Sequence, residues 1–311
     1  MERIVEIPAI MFLLIFAVIA FLIRLIFGAV AKDEGTQAFI PALETAALTL
    51  LGGFIARMFI SIVLASANDS PEISLLVGWG FFFPIGVIDT VIYLIVQHPI
   101  LTAPDVILWI AAMVGALAGM FCGIWRIYDW DALGVPAFLL DTTWGLSGTT
   151  NACLLHLINF AWGKHADESF DRRRNNHRYK GGFAIKQPFA FTQGNVMSNL
   201  KVDSSDDLWD HENLHVWQNR IFGPLFTLTY VGWMVLLFIP SLIVAAVRRS
   251  KLGDTIMALC YYNNPWEVWA YHVGGWRNPF MAWSDPVVIV ASVFFYGAVL
   301  VLIGFILSRI Y

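Results

Sequence analysis

Long apolar runs constrain this chain more than any other feature of its sequence. A helix needs about 20 mostly apolar residues to cross the hydrocarbon core of a bilayer. Hydrophobic residues make up 58% of the 311 residues and charged residues only 14%, whereas about a quarter of the residues in a soluble globular domain are charged. The sequence therefore predicts an all-α polytopic membrane protein, in contact with membrane lipid, with about six spanning helices. These predicted spans are 7–31, 42–66, 75–97, 105–126, 134–162 and 287–308.

The distribution of polar residues divides the chain into three regions. Residues 1–162 contain five of the runs and are predicted to form a five-helix transmembrane region. Residues 163–286 include the one large polar stretch, with nine of the 19 Lys and Arg between 163 and 220. We predict a small α+β region there, and a C-terminal transmembrane helix in residues 287–311.

Local patterns predict the elements of the polar region. Residues 179–184 and 188–198 combine aromatic and β-branched residues with glycines, which predicts one or two short strands. Residues 204–207, Ser-Ser-Asp-Asp, offer N-cap side chains for a helix that runs to about Phe222. Gly223-Pro224 ends or kinks that helix, because proline cannot continue the backbone hydrogen-bond ladder.

A zinc motif, His211-Glu212-Asn213-Leu214-His215, lies inside this predicted helix. A spacing of four residues puts both imidazoles on one helix face, where two neutral ring nitrogens can bind one Zn²⁺. Glu212 lies beside them, placed to accept a proton from a water molecule that zinc activates. The alternative is a surface helix with two incidental histidines. In a chain with seven His and eight Glu, the motif should arise by chance only about once in a few hundred such chains.

A third zinc ligand must come from another part of the chain, since a catalytic zinc takes three protein ligands and a water molecule. Glu267 is the one glutamate after the motif, and Pro265 predicts a helix with Glu267 in its first turn. Asp254, Asp285 and His272 are competing ligands. The alternative role for Glu267 is that of a helix-start carboxylate interacting with the helix dipole.

The residues around the motif form a longer pattern over about 190–275. It consists of Thr192-x-Gly194-Asn195-Val196, Asp210-His211-Glu212-x-x-His215-Val216-x-Gln218, Arg220-x-x-Gly223-Pro224 and Asn264-Pro265-x-Glu267-x-x-Ala270-Tyr271. This pattern resembles a set of little-characterised bacterial membrane proteins of gluzincin type, over roughly a quarter of the chain. The resemblance implies that residues 163–286 form a zincin-like region, with a short strand before the zinc helix and peptide hydrolysis as the activity. It also implies zinc ligation by His211, His215 and Glu267, with Glu212 as the general base.

The apolar run 221–247 creates a conflict, because it separates the motif from Glu267. If the run crossed the membrane once, the ligands would lie on opposite sides. Gly223-Pro224 and Pro240 interrupt the run, and basic residues flank both of its ends, which favours the cytoplasmic side for both. We therefore expect a re-entrant hairpin or an interfacial helix pair that is covered by protein. With six true spans, the zinc region is expected on the cytoplasmic side of a bacterial inner membrane.

The fifth predicted span is unusually polar, with Asp141, Thr142, Ser147 and His156 inside it. Ionisable residues within spans are functional candidates by default. One interpretation is a broken helix that lines a wet cavity, and the other is helix packing through small and hydroxylated residues. The sequence leaves both interpretations open.

Two functions agree with these patterns. The first is a membrane-embedded zinc metallopeptidase acting on peptide or protein substrates, with Tyr271, His272 or Tyr230 as the oxyanion stabiliser. The second is a structural or scaffold subunit that binds other membrane proteins, in which His177 or His272 closes the zinc shell as a fourth ligand. A channel or transporter has only the polar fifth span in its favour, and a net charge of −4 gives no basis for nucleic-acid binding.

Overall fold

The computed structural model describes residues 2–31, 35–97, 99–166, 172–200 and 206–275, with eight further residues between 290 and 306. The described residues form helices α1 to α11 and strands β1 to β3. They are α1 Glu2–Ile26, α2 Phe39–Ala65, α3 Pro71–Phe81, α4 Phe83–Val96, α5 Pro104–Trp125, α6 Gly134–Thr142, α7 Leu146–Ala161, β1 His177–Arg178, β2 Phe191–Gln193, β3 Val196–Ser198, α8 Asp206–Phe222, α9 Pro224–Arg248, α10 Leu252–Ile256 and α11 Pro265–Val273. Short π-helical segments, Phe27–Ala31 and Met257–Tyr262, follow α1 and α10, and a 3₁₀ turn, Gly35–Ala38, precedes α2.

Four helical stretches among the described residues are long and apolar enough to cross a membrane. They are Pro8–Val30, Gly35–Ala65, Pro104–Trp125 and Pro224–Arg248. The predicted mostly helical membrane fold is confirmed, with four candidate spans in this part of the chain where six were expected in the whole. The predicted C-terminal span, 287–308, lies largely outside the described residues.

Two of the predicted spans are each divided into two shorter helices. The run 75–97 is divided at Phe82, whose φ of −127° and ψ of 43° are not helical. Pro84 lies in the first turn of α4, where proline is favoured, although it cannot continue a preceding helix. The run 134–162 is divided between α6 and α7 at Thr143, which has φ −128° and ψ −104°. Apolar length alone therefore does not show whether a run forms one unbroken helix, and these two runs do not.

Helices α2 and α5 pack closely because glycines leave room where the two backbones meet. Gly115, Gly119 and Gly123 recur every four residues in α5, which puts them on one face. A methyl group on Gly119 would overlap the carbonyl oxygen of Leu48, and one on Gly115 would overlap that of Gly52. This is the small-residue spacing that lets membrane helices approach closely.

The chain divides into two compact units. The first consists of Met1–Val202 and Asn219–Pro224, and the second of Asp203–Gln218 and Leu225–Tyr311. The first unit contains helices α1 to α7 and a small sheet, in which β3 lies between β1 and β2. Strand β3 pairs in parallel with β1 and antiparallel with β2. The predicted strand region 188–198 thus forms a hairpin, whereas the other predicted strand lies slightly earlier than expected, as β1.

A buried ion pair lies in the first unit. Arg220 donates from Nε and Nη2 to the two carboxylate oxygens of Asp141, each at 2.8 Å, and the two side chains are only 1% and 3% exposed. Asn195 and Tyr128 also donate to Oδ2 of Asp141, each at 3.1 Å. Arg220 donates further to the backbone carbonyl of Asn175. These bonds compensate for removing both charges from water.

Candidate metal centre

His211 and His215 lie one turn apart on α8 and bring their Nε2 atoms together. The helix places these two positions on one face, and the two Nε2 atoms are 3.2 Å apart. The rings are nearly perpendicular, at 86°, and both are buried. The predicted caps Ser204 and Ser205 lie outside the described residues.

Glu267 joins the two histidines from the first turn of α11. The Asn264 side chain caps this helix by accepting a hydrogen bond from the backbone N–H of Trp266 at 3.2 Å. Oε2 of Glu267 lies 3.3 Å from Nε2 of His211, and Oε1 lies 3.3 Å from Nε2 of His215. Among the described residues, these are the three side chains placed to hold a metal ion together.

The expected division of 221–247 into a re-entrant hairpin or an interfacial helix pair is wrong. Pro224–Arg248 forms one continuous helix with Pro240 inside it, and the only break at this point of the described chain is the turn at Gly223, whose φ is +55°. An interior proline removes one backbone hydrogen bond, which membrane helices tolerate when the surroundings satisfy the freed groups. The helix formed by this apolar run therefore continues through Pro240.

Glu267 reaches the histidines because the chain turns back after α9. The return segment, residues 252–264, runs antiparallel to α9. Its Cys260 Sγ lies 3.4 Å from the Ser241 hydroxyl, and its Asn264 side chain donates to the Tyr230 carbonyl at 3.2 Å. Trp233 also donates to the Leu259 carbonyl at 3.1 Å, so residues 259–264 of the segment lie along residues 230–241 of α9 and end at Tyr230. A continuous helix between motif and third ligand is therefore compatible with a shared metal site.

Two further side chains hold the candidate ligands in place. Gln218 Oε1 lies 2.8 Å from Nδ1 of His215, and Gln218 Nε2 donates to the Trp266 carbonyl at 3.2 Å. A hydrogen bond at Nδ1 fixes the tautomer and leaves Nε2 available for a metal. The Tyr230 hydroxyl donates to Oε1 of Glu267 at 2.6 Å. Sequence reasoning missed both contacts, although the i+3 spacing of Gln218 from His215 on one helix face could have revealed the first.

Burial and charge together determine the protonation of the candidate ligands. Burial alone would lower the pKa of His215, but the Glu267 carboxylate, and after it Glu212 and Gln218, raise this pKa to about 9. Burial alone would raise the pKa of Glu267, but the imidazoles of His215 and His211 hold it well below its usual range. A proton and a metal ion therefore compete for Nε2 of His215.

The second unit contains two buried carboxylates close to the histidines. Glu212 is 6% exposed and Glu267 is 2% exposed. Two imidazole nitrogens and a carboxylate oxygen, with a second carboxylate nearby, are donors that suit a divalent cation such as zinc.

The two predicted oxyanion stabilisers on α11, Tyr271 and His272, differ in exposure. Tyr271 is buried, one turn after Glu267, and its ring centroid lies 4.4 Å from that of His211. Burial, and after it the charge of Glu267, raises the pKa of Tyr271, so its hydroxyl stays a hydrogen-bond donor. His272 is exposed, because the next residue along a helix points about 100° away.

The other competing ligands do not join the group. Asp254 is exposed near the start of α10, and Asp285 lies outside the described residues. His177 belongs to the first unit, where its ring centroid lies 4.5 Å from that of His156. Among the described residues, the metal group therefore has three members.

The polar residues predicted inside the fifth span belong to the first unit and do not form one cluster. Asp141 belongs to the buried ion pair with Arg220. Thr142 donates to a backbone carbonyl of its own helix at 2.8 Å, and Nδ1 of His156 lies 2.6 Å from the Tyr179 hydroxyl. Ser147 is buried near the start of α7. The helix is broken, as one of the two interpretations expected, while the bonds of Asp141, Thr142 and His156 are those of polar groups satisfied within packed helices.

No protein-family model, curated protein or solved structure matches this chain. The likeness to gluzincin-type membrane proteins is therefore a resemblance of motif residues. A functional role has to be inferred from the contacts of those residues.

Proposed function

We propose that this protein is a membrane-embedded zinc metallopeptidase whose metal is held by His211, His215 and Glu267. The spacing of the donor atoms carries the proposal. A tetrahedral zinc ion with bonds of about 2.0–2.2 Å sets its ligand atoms ~3.3 Å apart. The separation of the two Nε2 atoms is 3.2 Å, and the distance from each Nε2 to the nearest Glu267 oxygen is 3.3 Å. Two imidazoles and one carboxylate are also a donor set of catalytic zinc in peptidases.

The number of donors favours catalysis over a structural role. A structural zinc site closes its shell with a fourth protein ligand, whereas a catalytic site keeps one position for water or substrate. Within the described residues the group has three members. The scaffold alternative therefore has no contact in this part of the chain that favours it.

The residues around the donors supply the other parts of a hydrolytic mechanism. When bound, zinc supplies Lewis acidity, which lowers the pKa of a water ligand toward ~7 and polarises a carbonyl group. Glu212, buried beside the ligands, accepts a proton from the attacking water and delivers it to the leaving amine. Tyr271 donates a hydrogen bond to the carbonyl oxygen as negative charge develops there. Of the other two candidates for this role, Tyr230 is bonded to Glu267 and His272 is exposed.

We place this zincin-like region on the cytoplasmic side of a bacterial inner membrane. Nine of the 19 Lys and Arg lie in residues 163–220, before α9, whereas Arg248 ends this helix and Arg249 and Lys251 follow it. The larger basic excess marks the cytoplasmic end. Lys180→Cys tests this, because residue 180 is exposed and the native cysteines are buried. An impermeant maleimide should label it only after lysis, and labelling in intact cells would contradict the orientation.

Hydrolysis of a proteome-derived peptide mixture by the detergent-purified protein tests the activity. New amino termini are tagged and identified by mass spectrometry, before and after zinc removal with a chelator. Glu212→Gln is the informative variant, because it should keep the metal and lose about 10²-fold or more of the cleavage rate. His272→Ala is the matched control, since it removes an exposed histidine from the helix that carries Glu267.

The outcomes separate the chain's own activity from contamination. Zinc-dependent cleavage that Glu212→Gln abolishes and His272→Ala retains supports the peptidase. Cleavage at the same rate in Glu212→Gln contradicts the proposed mechanism.

A further inference from the structure

The metal group lies beside the first two turns of α9, the apolar helix of the second unit. The ring centroid of His215 lies 6.3 Å from that of Phe226 and 6.5 Å from that of Tyr230. These two aromatic residues are one turn apart on α9 and so share a face. Thr229 accepts a hydrogen bond at 3.0 Å from the indole of Trp266, which precedes the third ligand. The metal group is thus level with residues 226–230 of α9.

The length of α9 shows where this level lies in a bilayer. Arg248, followed by Arg249 and Lys251, marks one end of the apolar segment, since charged residues there stay at the interface. A hydrocarbon core of about 30 Å corresponds to about 20 helical residues at 1.5 Å per residue. Counting about 20 residues back from Arg248 reaches residue 228. Tyr230, which bonds to Glu267, therefore lies roughly 3 Å inside the opposite hydrocarbon boundary.

The outer surface of α9 just beyond this level, toward the hydrocarbon, is apolar. Val231 is 45% exposed and Val235 is 66% exposed, directly after the turn that contacts the metal group. Tyr230 bonds to Glu267, the Tyr271 ring contacts the His211 ring, and Trp266 bonds to Thr229; such amphipathic rings are enriched at membrane interfaces. The second unit therefore presents its metal group at the boundary between hydrocarbon and headgroups.

We propose that the substrate is a membrane-anchored polypeptide, cut at a peptide bond within a few residues of the point where it leaves the hydrocarbon core. This inference rests on the proposed peptidase function and adds its substrate class. A soluble peptide would have to dehydrate its polar backbone to reach this depth, which is unfavourable. A segment already held in the same bilayer arrives at high effective concentration and with its anchor in place. The depth of the site thus selects for anchored substrates.

The depth of the metal can be measured without knowing any substrate. Full-length protein is loaded with Co²⁺ in place of zinc and reconstituted into vesicles that contain one of three nitroxide lipids. The labels lie on the headgroup, on the upper acyl chain or at the acyl-chain end, and His215→Ala provides the background from metal bound elsewhere. We expect the largest relaxation enhancement on the upper acyl chain, about twofold or more above that of the headgroup label. A maximum at the headgroup, or no enhancement on any label from a loaded protein, would overturn the proposed depth.

Cleavage of paired substrates tests the selection itself. The probes are randomised ten-residue peptides, either free or fused to a 20-residue Leu-rich transmembrane segment in the same vesicles. We expect cleavage of the fused probes to be about tenfold faster or more, at bonds near the anchor. Equal rates, or cuts spread evenly along the fused probes, would overturn the inference while leaving the peptidase intact. A protein that binds no Co²⁺ or zinc would instead refute the proposed function, and this inference with it.

Discussion

Replacing Asp141 by asparagine removes the charge that compensates Arg220 while keeping the shape of the side chain. Arg220 is 1% exposed and gives two 2.8 Å hydrogen bonds to this carboxylate. Breaking a buried pair on one side costs about 3–5 kcal/mol, because the other charge stays buried without its partner. We expect Asp141→Asn to lose that much stability, which lowers the unfolding midpoint by roughly 5–15 °C for a chain of this size.

Thermal unfolding in detergent can be followed with a thiol-reactive dye, because the three cysteines are buried until the chain unfolds. Asp131→Asn is the matched control in the same unit. Asp131 lies 3.5 Å from Arg173, and the two side chains are 82% and 63% exposed. An exposed pair contributes at most about 1 kcal/mol, so this control should melt close to the wild type.

The double variant Asp141→Leu, Arg220→Met completes the test. Replacing both members of a buried pair by apolar residues is often nearly neutral, although Asn195 and Tyr128 lose their acceptor here, at about 1–3 kcal/mol. The double variant should therefore lose less than the sum of Asp141→Leu and Arg220→Met. The reasoning is refuted if Asp141→Asn melts with the exposed control, or if the losses of the double variant are additive.

Three further predictions concern the metal group and the helix packing. Gln218→Leu should weaken zinc binding about 10–100-fold, measured by chelator competition, because it removes the hydrogen bond that orients His215; Gln218→Glu, which can still accept that bond, should retain most of the affinity. The raised pKa of His215, about 9, means that its proton must leave before a metal binds, so apparent affinity should fall as pH drops below 9, by up to about tenfold per unit, and a flat profile between pH 6 and about 9 would contradict this. Gly119→Leu should destabilise the first unit by more than about 3 kcal/mol in thiol-dye melts, because its side chain overlaps the Leu48 backbone, whereas Gly253→Ala, at an open position, should have little effect.

The features that could be predicted from the sequence depend on local periodicity. Apolar length identifies the membrane class, and the i, i+4 spacing of His211 and His215 places both rings on one face whatever surrounds the helix. Gly223-Pro224 marks a helix boundary through backbone chemistry alone. Glu267 could be proposed as a ligand because of its helix-start position and because no other glutamate follows the motif.

The features that were mispredicted depend on contacts between distant segments. A run such as 75–97 has the composition of one span, but the non-helical backbone at Phe82 divides it into two helices. Pro240 indicated a break in α9, yet the helix continues through it. Nothing in the sequence of the return segment, residues 252–264, shows that it runs back along α9. Without that direction, a continuous α9 would place Glu267 on the opposite side of the membrane from His211 and His215. The partners of the Asp141 carboxylate, Tyr128, Asn195 and Arg220, likewise come from three separate parts of the chain.

The central claim is that His211, His215 and Glu267 hold one zinc ion, and the zinc content of the purified protein tests it most directly. Elemental analysis should find about one zinc per chain in the wild type and in the control His272→Ala. His215→Ala and Glu267→Ala should each lose most of it while remaining folded in the thiol-dye melt. A folded wild type without zinc, or a Glu267→Ala variant that retains the full amount, would contradict the account.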